Sequence, residues 1–197
     1  MKTLIVLGAD KIAGLALSRI EPFQEGSKII IDRSTSITRL GKLLRSKTLS
    51  PVLAGKMAFC EVGRSNKKPR NDLEGITCNL ELLQAIKDFD PGRLVLFRAG
   101  LIINKAVLST GIPVLNIHAA SVPDFGGIGS INRALRAKSY KQSACLHVIT
   151  SRIDEGLVLD KEDYTLDPKL CYCANEDIAY KAAVNLLQRA LQKEYVF

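Results

Sequence analysis

The chain has only two histidines, His118 and His147, and both fall in a stretch from Val114 to Gly156 that also holds Asn116 and Asp154. Successive residues of a β-strand point to opposite faces. Asn116 and His118, in the apolar run Val114-Leu115-Asn116-Ile117-His118, therefore share a face at its carboxyl end. A carboxylate arriving from a later segment would complete a candidate catalytic trio. A fixed amide donor steadies developing charge, and an imidazole beside a carboxylate transfers protons. For His147 two readings stand open, support of this site or packing within a strand.

The elements that must hold these groups follow from apolar patterning. Thr3 to Leu7 reads as a strand, Gly8-Ala9-Asp10 as a turn, and Ile12, Leu15, Ala16 and Ile20 as one face of a helix with Asp10 at its N-cap. The turn is no dinucleotide fingerprint, since Asp10 and Ala13 stand where glycines would be needed, and it lacks the Gly-Lys-Ser/Thr of a phosphate loop. The helix start could still hold a phosphate, with Lys11 adjacent.

Ile29 to Asp32 is a second buried strand, and Ile37, Leu40, Leu43 and Leu44 mark a basic helix carrying Arg39, Lys42, Arg45 and Lys47. Ser50-Pro51 opens a further helix, Gly63 to Asn71 is a polar loop, and Leu80 to Ile86 is helical. Leu94 to Phe97 forms a third strand, with a short helix near Asn104 to Ser109 before the strand that bears Asn116 and His118. Ile131 to Ala137 reads as a helix and Ala144 to Ile149 as a strand. Leu157-Val158-Leu159 reads as a partner strand near a sheet edge, and Asn175 to Leu191 as a long closing helix. Strands alternating with helices predict an α/β fold: a Rossmann-like, mostly parallel twisted sheet with helices on both faces, in a single domain over residues 1–197. Ligands in such sheets bind at the carboxyl ends of the strands, where strand order reverses.

Hydrophobic content of 47% with 24% charged residues fits an ordinary globular protein. No run approaches the roughly 18 apolar residues of a membrane span, and the short apolar start ending at Gly8 is no secretion signal. A cytoplasmic protein without a membrane partner is expected. Cys60, Cys78, Cys145, Cys171 and Cys173 lack CxxC spacing, so reduced thiols and no metal site are expected. The net charge of +8 is concentrated between Arg33 and Arg70, where ten Lys or Arg meet one acid, Glu61. Such a field favours an anionic partner, phosphates or nucleic acid.

Asn116-Ile117-His118, Pro123, the Gly126-Gly127 turn, His147 and Ile153-Asp154-Glu155-Gly156 resemble the signature of formyltransferases that use 10-formyltetrahydrofolate. The run Gly100 to Leu108 is similar to the corresponding run of the methionyl-tRNA members. The resemblance implies transfer of a formyl group from a folate nitrogen to a primary amine through a tetrahedral oxyanion. Asn116 and His118 would donate to that oxygen. Asp154 would favour protonated His118, orient it and help move the amine's proton. The pteridine would lie against Leu101, Ile102 and Ile103 and against the loop Thr150, Ser151, Arg152 and Ile153.

The acceptor side departs from the family. Ala120 lacks the hydroxyl usual after the histidine, Gly8-Ala9-Asp10-Lys11 replaces a Gly-Ser-Asn phosphate loop, and Ala183 stands where the last helix carries a carboxylate in glycinamide-ribonucleotide enzymes. The expected acceptor is therefore a small anionic amine, a nucleotide amino sugar or a phosphorylated amine, held by Asp10, Lys11, Arg39 and Arg45. The alternatives are glycinamide-ribonucleotide or methionyl-tRNA formylation, hydrolysis of formyltetrahydrofolate, or a non-catalytic nucleic-acid-binding relative. Because the sequence stops at Phe197, a C-terminal RNA-binding domain is not expected. Oligomeric state is left open.

Overall fold

The fold is taken from a computed structural model that describes residues 1–20, 26–34 and 37–195, apart from the side chains of 37–40. In chain order the elements are β1 (Thr3–Gly8), α1 (Lys11–Ile20), β2 (Ser27–Asp32), α2 (Ile37–Arg45), α3 (Pro51–Gly63), β3 (Gly75–Ile76) and α4 (Asn79–Phe89). They continue with β4 (Arg93–Phe97), α5 (Lys105–Leu108), β5 (Val114–His118), α6 (Ser130–Arg136), β6 (Lys141–Val148), β7 (Val158–Thr165) and α7 (Tyr172–Gln192). The strands form one seven-stranded sheet in the order β3-β2-β1-β4-β5-β6-β7. The pairs from β3 to β5 are parallel, whereas β6 runs antiparallel to both β5 and β7.

Burial on both faces explains the uninterrupted apolar runs of the central strands. Ile5, Leu7, Val95, Phe97, Leu115 and Ile117 point to one face and pack against α1, α6 and α7. Leu4, Val6, Leu94, Leu96 and Val114 point to the other, where α4 and α5 supply Leu82, Ala85, Ile86 and Val107. On that second face the strip from β5 to β7 is covered by loops 123–129 and 149–156, and Asn116, His118, Cys145 and His147 lie there.

Local signals set the helix starts. The Asp10 carboxylate accepts from the Ala13 amide at 2.8 Å, Ser50 caps α3 ahead of Pro51, and Asn104 caps α5. Each side-chain oxygen satisfies a first-turn amide that the helix cannot.

Two expectations change. The edge strand is longer than Leu157-Val158-Leu159, because β7 extends to Thr165 through Asp160, Lys161, Glu162 and Asp163; an edge strand exposes one face, so charges do not end it. The cysteines are not all free thiols. Cys60 at the end of α3 is bonded to Cys173 at the start of α7, across 113 residues, while Cys78, Cys145 and Cys171 are free. The fold brings the end of α3 against the start of α7, a meeting that spacing along the chain does not reveal. Among the described residues, no helix is long and apolar enough to cross a membrane.

Candidate active site

Asn116 and His118 point to the second face of β5, and the antiparallel register places His147 of β6 directly beside Asn116 on that face. Asn116 Nδ2 lies 3.1 Å from His147 Nε2. Beyond β6 the chain folds back over the sheet, and Asp154 enters with a left-handed backbone, φ 54°, a conformation aspartate adopts more readily than most residues. Its Oδ2 is 3.3 Å from His118 Nδ1, and its Oδ1 is 3.3 Å from His147 Nε2 and 3.4 Å from Asn116 Nδ2. The predicted trio therefore converges, with His147 as a fourth member.

The glycine turn makes the convergence possible. A Cβ on Gly126 would stand 2.9 Å from Asp154 Cβ, and the Gly127 amide donates to Asp154 Oδ2 at 2.6 Å. His118 Nε2 lies 3.0 Å from the Phe125 carbonyl oxygen. Gly156 performs the same service on the far side of Asp154, since a Cβ there would meet the Val148 carbonyl oxygen at 1.7 Å.

The electrostatics separate the two titrating partners. Burial alone would raise the Asp154 carboxyl, but the His147 hydrogen bond, the His118 charge and the Gly127 amide outweigh it and hold the group at about 2. His118 moves below its ordinary 6.5, because burial outweighs the attraction of Asp154 and the Phe125 carbonyl. Asp154 favours the protonated form, as expected from the sequence, but burial is the larger effect. The imidazole is nevertheless bracketed by oxygens on both ring nitrogens, so a proton arriving from a reacting amine meets two acceptors already in place. Side chains of His118 and Asp154 are 14% and 11% exposed, enough for a ligand to reach them and too little for water to screen them.

The two loops named for the donor border this face. Loop 98–104 follows β4, the neighbour of β5; Asp32 at the end of β2 accepts from the Leu101 amide at 2.7 Å, and Asn79 donates to the Ile102 carbonyl at 3.0 Å. Leu101 and Ile103 pack into the second core together with Ile149, while Ile102 is 63% exposed. In the other loop Thr150, Ser151 and Arg152 are exposed, and Ile153 is 68% exposed. Ile102 and Ile153 thus offer apolar surface at the borders of a polar site.

Of the four acceptor residues, the three whose side chains are described, Asp10, Lys11 and Arg45, are not gathered there. Asp10 and Lys11 lie at the start of α1, by the carboxyl end of β1, with their polar groups engaged internally. Asp10 pairs with Arg98, and the Lys11 ammonium donates to the carbonyls of Val62 and Arg64. Arg45 is exposed on α2, and the side chain of Arg39 lies outside the described residues. Of the departures noted in the sequence, Ala120 and Ala183 are both fully buried, and the acids that α7 carries are Glu176 and Asp177 on its early turns.

A sequence model of the formyl transferase family matches residues 67–191, well over half of the chain, and the chain belongs to that family. Among curated proteins it is similar to methionyl-tRNA formyltransferase of Neisseria meningitidis serogroup A, with 31% identity over 122 residues, which cover 61% of this chain and 37% of that relative. The match thus spans little more than a third of the relative's length. Among solved structures, phosphoribosylglycinamide formyltransferase of Anaplasma phagocytophilum superposes with a TM-score of 0.69 at 10% identity, covering 98% of this chain and 85% of that one. Glycinamide ribonucleotide transformylase 1 of Geobacillus kaustophilus gives 0.67 at 18% identity, covering 97% of each. At these identities the structural likeness concerns the fold.

Proposed function

We propose that this chain transfers a formyl group from 10-formyltetrahydrofolate to the primary amine of a small anionic molecule, a nucleotide amino sugar or a phosphorylated amine. The observation that carries the reading is the convergence of Asn116, His118 and Asp154 within hydrogen-bond reach on one strip of the sheet. Family membership supports it, since formyl transferases of this family generally take that donor.

The donor fits the residues present. Leu101, Ile102 and Ile103 on one side and Thr150, Ser151, Arg152 and Ile153 on the other provide backbone groups and apolar surface on either side of the trio, as a flat heteroaromatic ring requires. Bound there, the folate supplies an activated formyl carbon. The Asn116 amide donates to the oxygen on which charge develops as the amine attacks. His118, neutral at rest because of its burial, takes the amine's proton, in that state hydrogen-bonds both Asp154 and the Phe125 carbonyl, and can return it to the leaving nitrogen as the donor's carbon–nitrogen bond breaks. Asp154 stays ionised throughout, held in place by the Gly127 amide and His147. Lys42 and Arg45 are exposed on α2, and with Arg39 they are the groups assigned to the acceptor's negative charge.

Incubation with 10-formyltetrahydrofolate and a panel of phosphorylated amines and nucleotide amino sugars, followed by tetrahydrofolate release, tests this. Release that depends on one amine class is expected. Amine-independent release would assign hydrolysis instead, and no release with any amine would remove the transferase reading.

A further inference from the structure

The carboxyl edge of the sheet between β1 and β4 is the place where strand order reverses, the position at which open α/β sheets take their ligands. α1 starts there, with first-turn amides that its own backbone leaves unpaired and the positive end of its dipole facing outward. In this chain the protein's own groups fill that position. Glu61, in the last turn of α3, accepts from the Lys11 amide through Oε1 at 2.9 Å. The Lys11 ammonium, which could have met an anion, instead donates to the Val62 and Arg64 carbonyls at 2.9 and 2.6 Å.

The surrounding charges are paired as well. Arg64 binds Glu176 at 2.8 Å and Asp177 at 2.9 Å and lies 3.8 Å from Glu61. Arg98 binds Asp10 and Tyr180. Three cations, Lys11, Arg64 and Arg98, are thus already engaged by protein groups, and four carboxylates, Asp10, Glu61, Glu176 and Asp177, stand among them. The segment bearing Glu61 is also anchored from two directions. Cys60 is bonded to Cys173 of α7, and the loop after α3 lies so close on α1 that a Cβ at Gly14 would meet the Lys67 carbonyl oxygen at 1.8 Å.

We propose that Glu61 is a specificity-determining residue: its carboxylate occupies the start of α1 as an internal anion and closes the β1–β4 crevice to phosphate. The word specificity rests on the formyl-transfer reading above, whereas the closure itself does not. An acceptor of this chain therefore reaches the trio without anchoring a phosphate on α1, and its anionic group must meet cations outside the crevice. An anion entering the crevice would have to displace Glu61 and stand beside Asp10 and Glu176, which costs like-charge repulsion as well as the lost contact.

The test is a titration of the protein with inorganic phosphate, followed through the backbone amide resonance of Lys11 and through the melting temperature. In the parent no saturable change at Lys11 is expected. In E61Q, which keeps the side chain's size and removes its charge, phosphate should perturb Lys11 saturably and raise the melting temperature, with affinity about tenfold or more above the parent. Should E61Q fail to fold, E61A, which removes the carboxylate and uncovers the first-turn amide, stands in under the same criteria. A saturable response of Lys11 in the parent overturns the proposal, and so does an uncharged or shortened variant that gains no phosphate affinity. Neither donor nor amine is present in these titrations, so their outcome is independent of whether the turnover assay finds formyl transfer.

Discussion

Two polar regions of this molecule use similar residues to opposite effect. On the β5–β6 strip one carboxylate, Asp154, is shared among His118, His147, Asn116 and a backbone amide. At the β1–β4 crevice each cation has its own acceptors, as Arg64 has Glu176 and Asp177 and Arg98 has Asp10 and Tyr180. In the first region a single carboxylate links two imidazoles and an amide, so a change of protonation at one of them is felt by the others. In the second, charges compensate one another and the region holds elements together. The proposed chemistry therefore lies on the strip where titrating groups share one partner, beside the edge where α/β sheets most often place it.

The contrast is broken most severely by D154N. Loss of the shared charge should lower kcat/KM by about 10²–10⁴-fold with the fold retained by circular dichroism; a variant within threefold of the parent would mean that the carboxylate is structural. A smaller but still large effect is expected for G156A, where a Cβ has 1.7 Å to the Val148 carbonyl oxygen. The loop must shift, costing about 2 kcal/mol or more and lowering Tm by about 4–8 °C. Activity should fall further than stability alone explains, because that loop delivers Asp154.

The pH dependence sharpens the comparison further. His118 is depressed below 6.5, so kcat/KM, corrected for the free-amine fraction, should be level near neutrality and decline in acid with an apparent pKa below 6.5. A limb above 6.5 would contradict the assignment. Stability should follow the same signs. The unfolded chain protonates this histidine first, so stability falls as pH drops below about 6.5. The contribution of Asp154, complete above its unfolded value of about 3.9, disappears as pH falls towards about 2. The smallest change is expected from R45E on exposed α2, a rise of about threefold to tenfold in KM for the acceptor with the donor's KM unmoved. Equal losses for both substrates would detach the α2 cations from the acceptor.

How much of this was legible follows from the range of each interaction. Asn116 and His118 could be paired from the sequence because strand alternation is local, and Asp10 could be read as a cap because its partner is Ala13. Asp154 was reached through resemblance, since its approach depends on a loop that folds back over the sheet. His147 stayed ambiguous because its role comes from the antiparallel register of β6 on β5. Nothing local marks Glu61 as the partner of Lys11, 50 residues away, or Cys60 as the partner of Cys173. The net direction of the His118 shift was not legible for a related reason: the attracting charge is visible in the sequence, whereas the burial that outweighs it arises only when the strip is covered by its loops.

The account is tested most directly by measuring tetrahydrofolate release from 10-formyltetrahydrofolate, with the amine class that supports turnover, in the parent and in H118A side by side. A loss of about 10²-fold or more in kcat, with donor binding unchanged, is the predicted result. Equal turnover in the two proteins would contradict it.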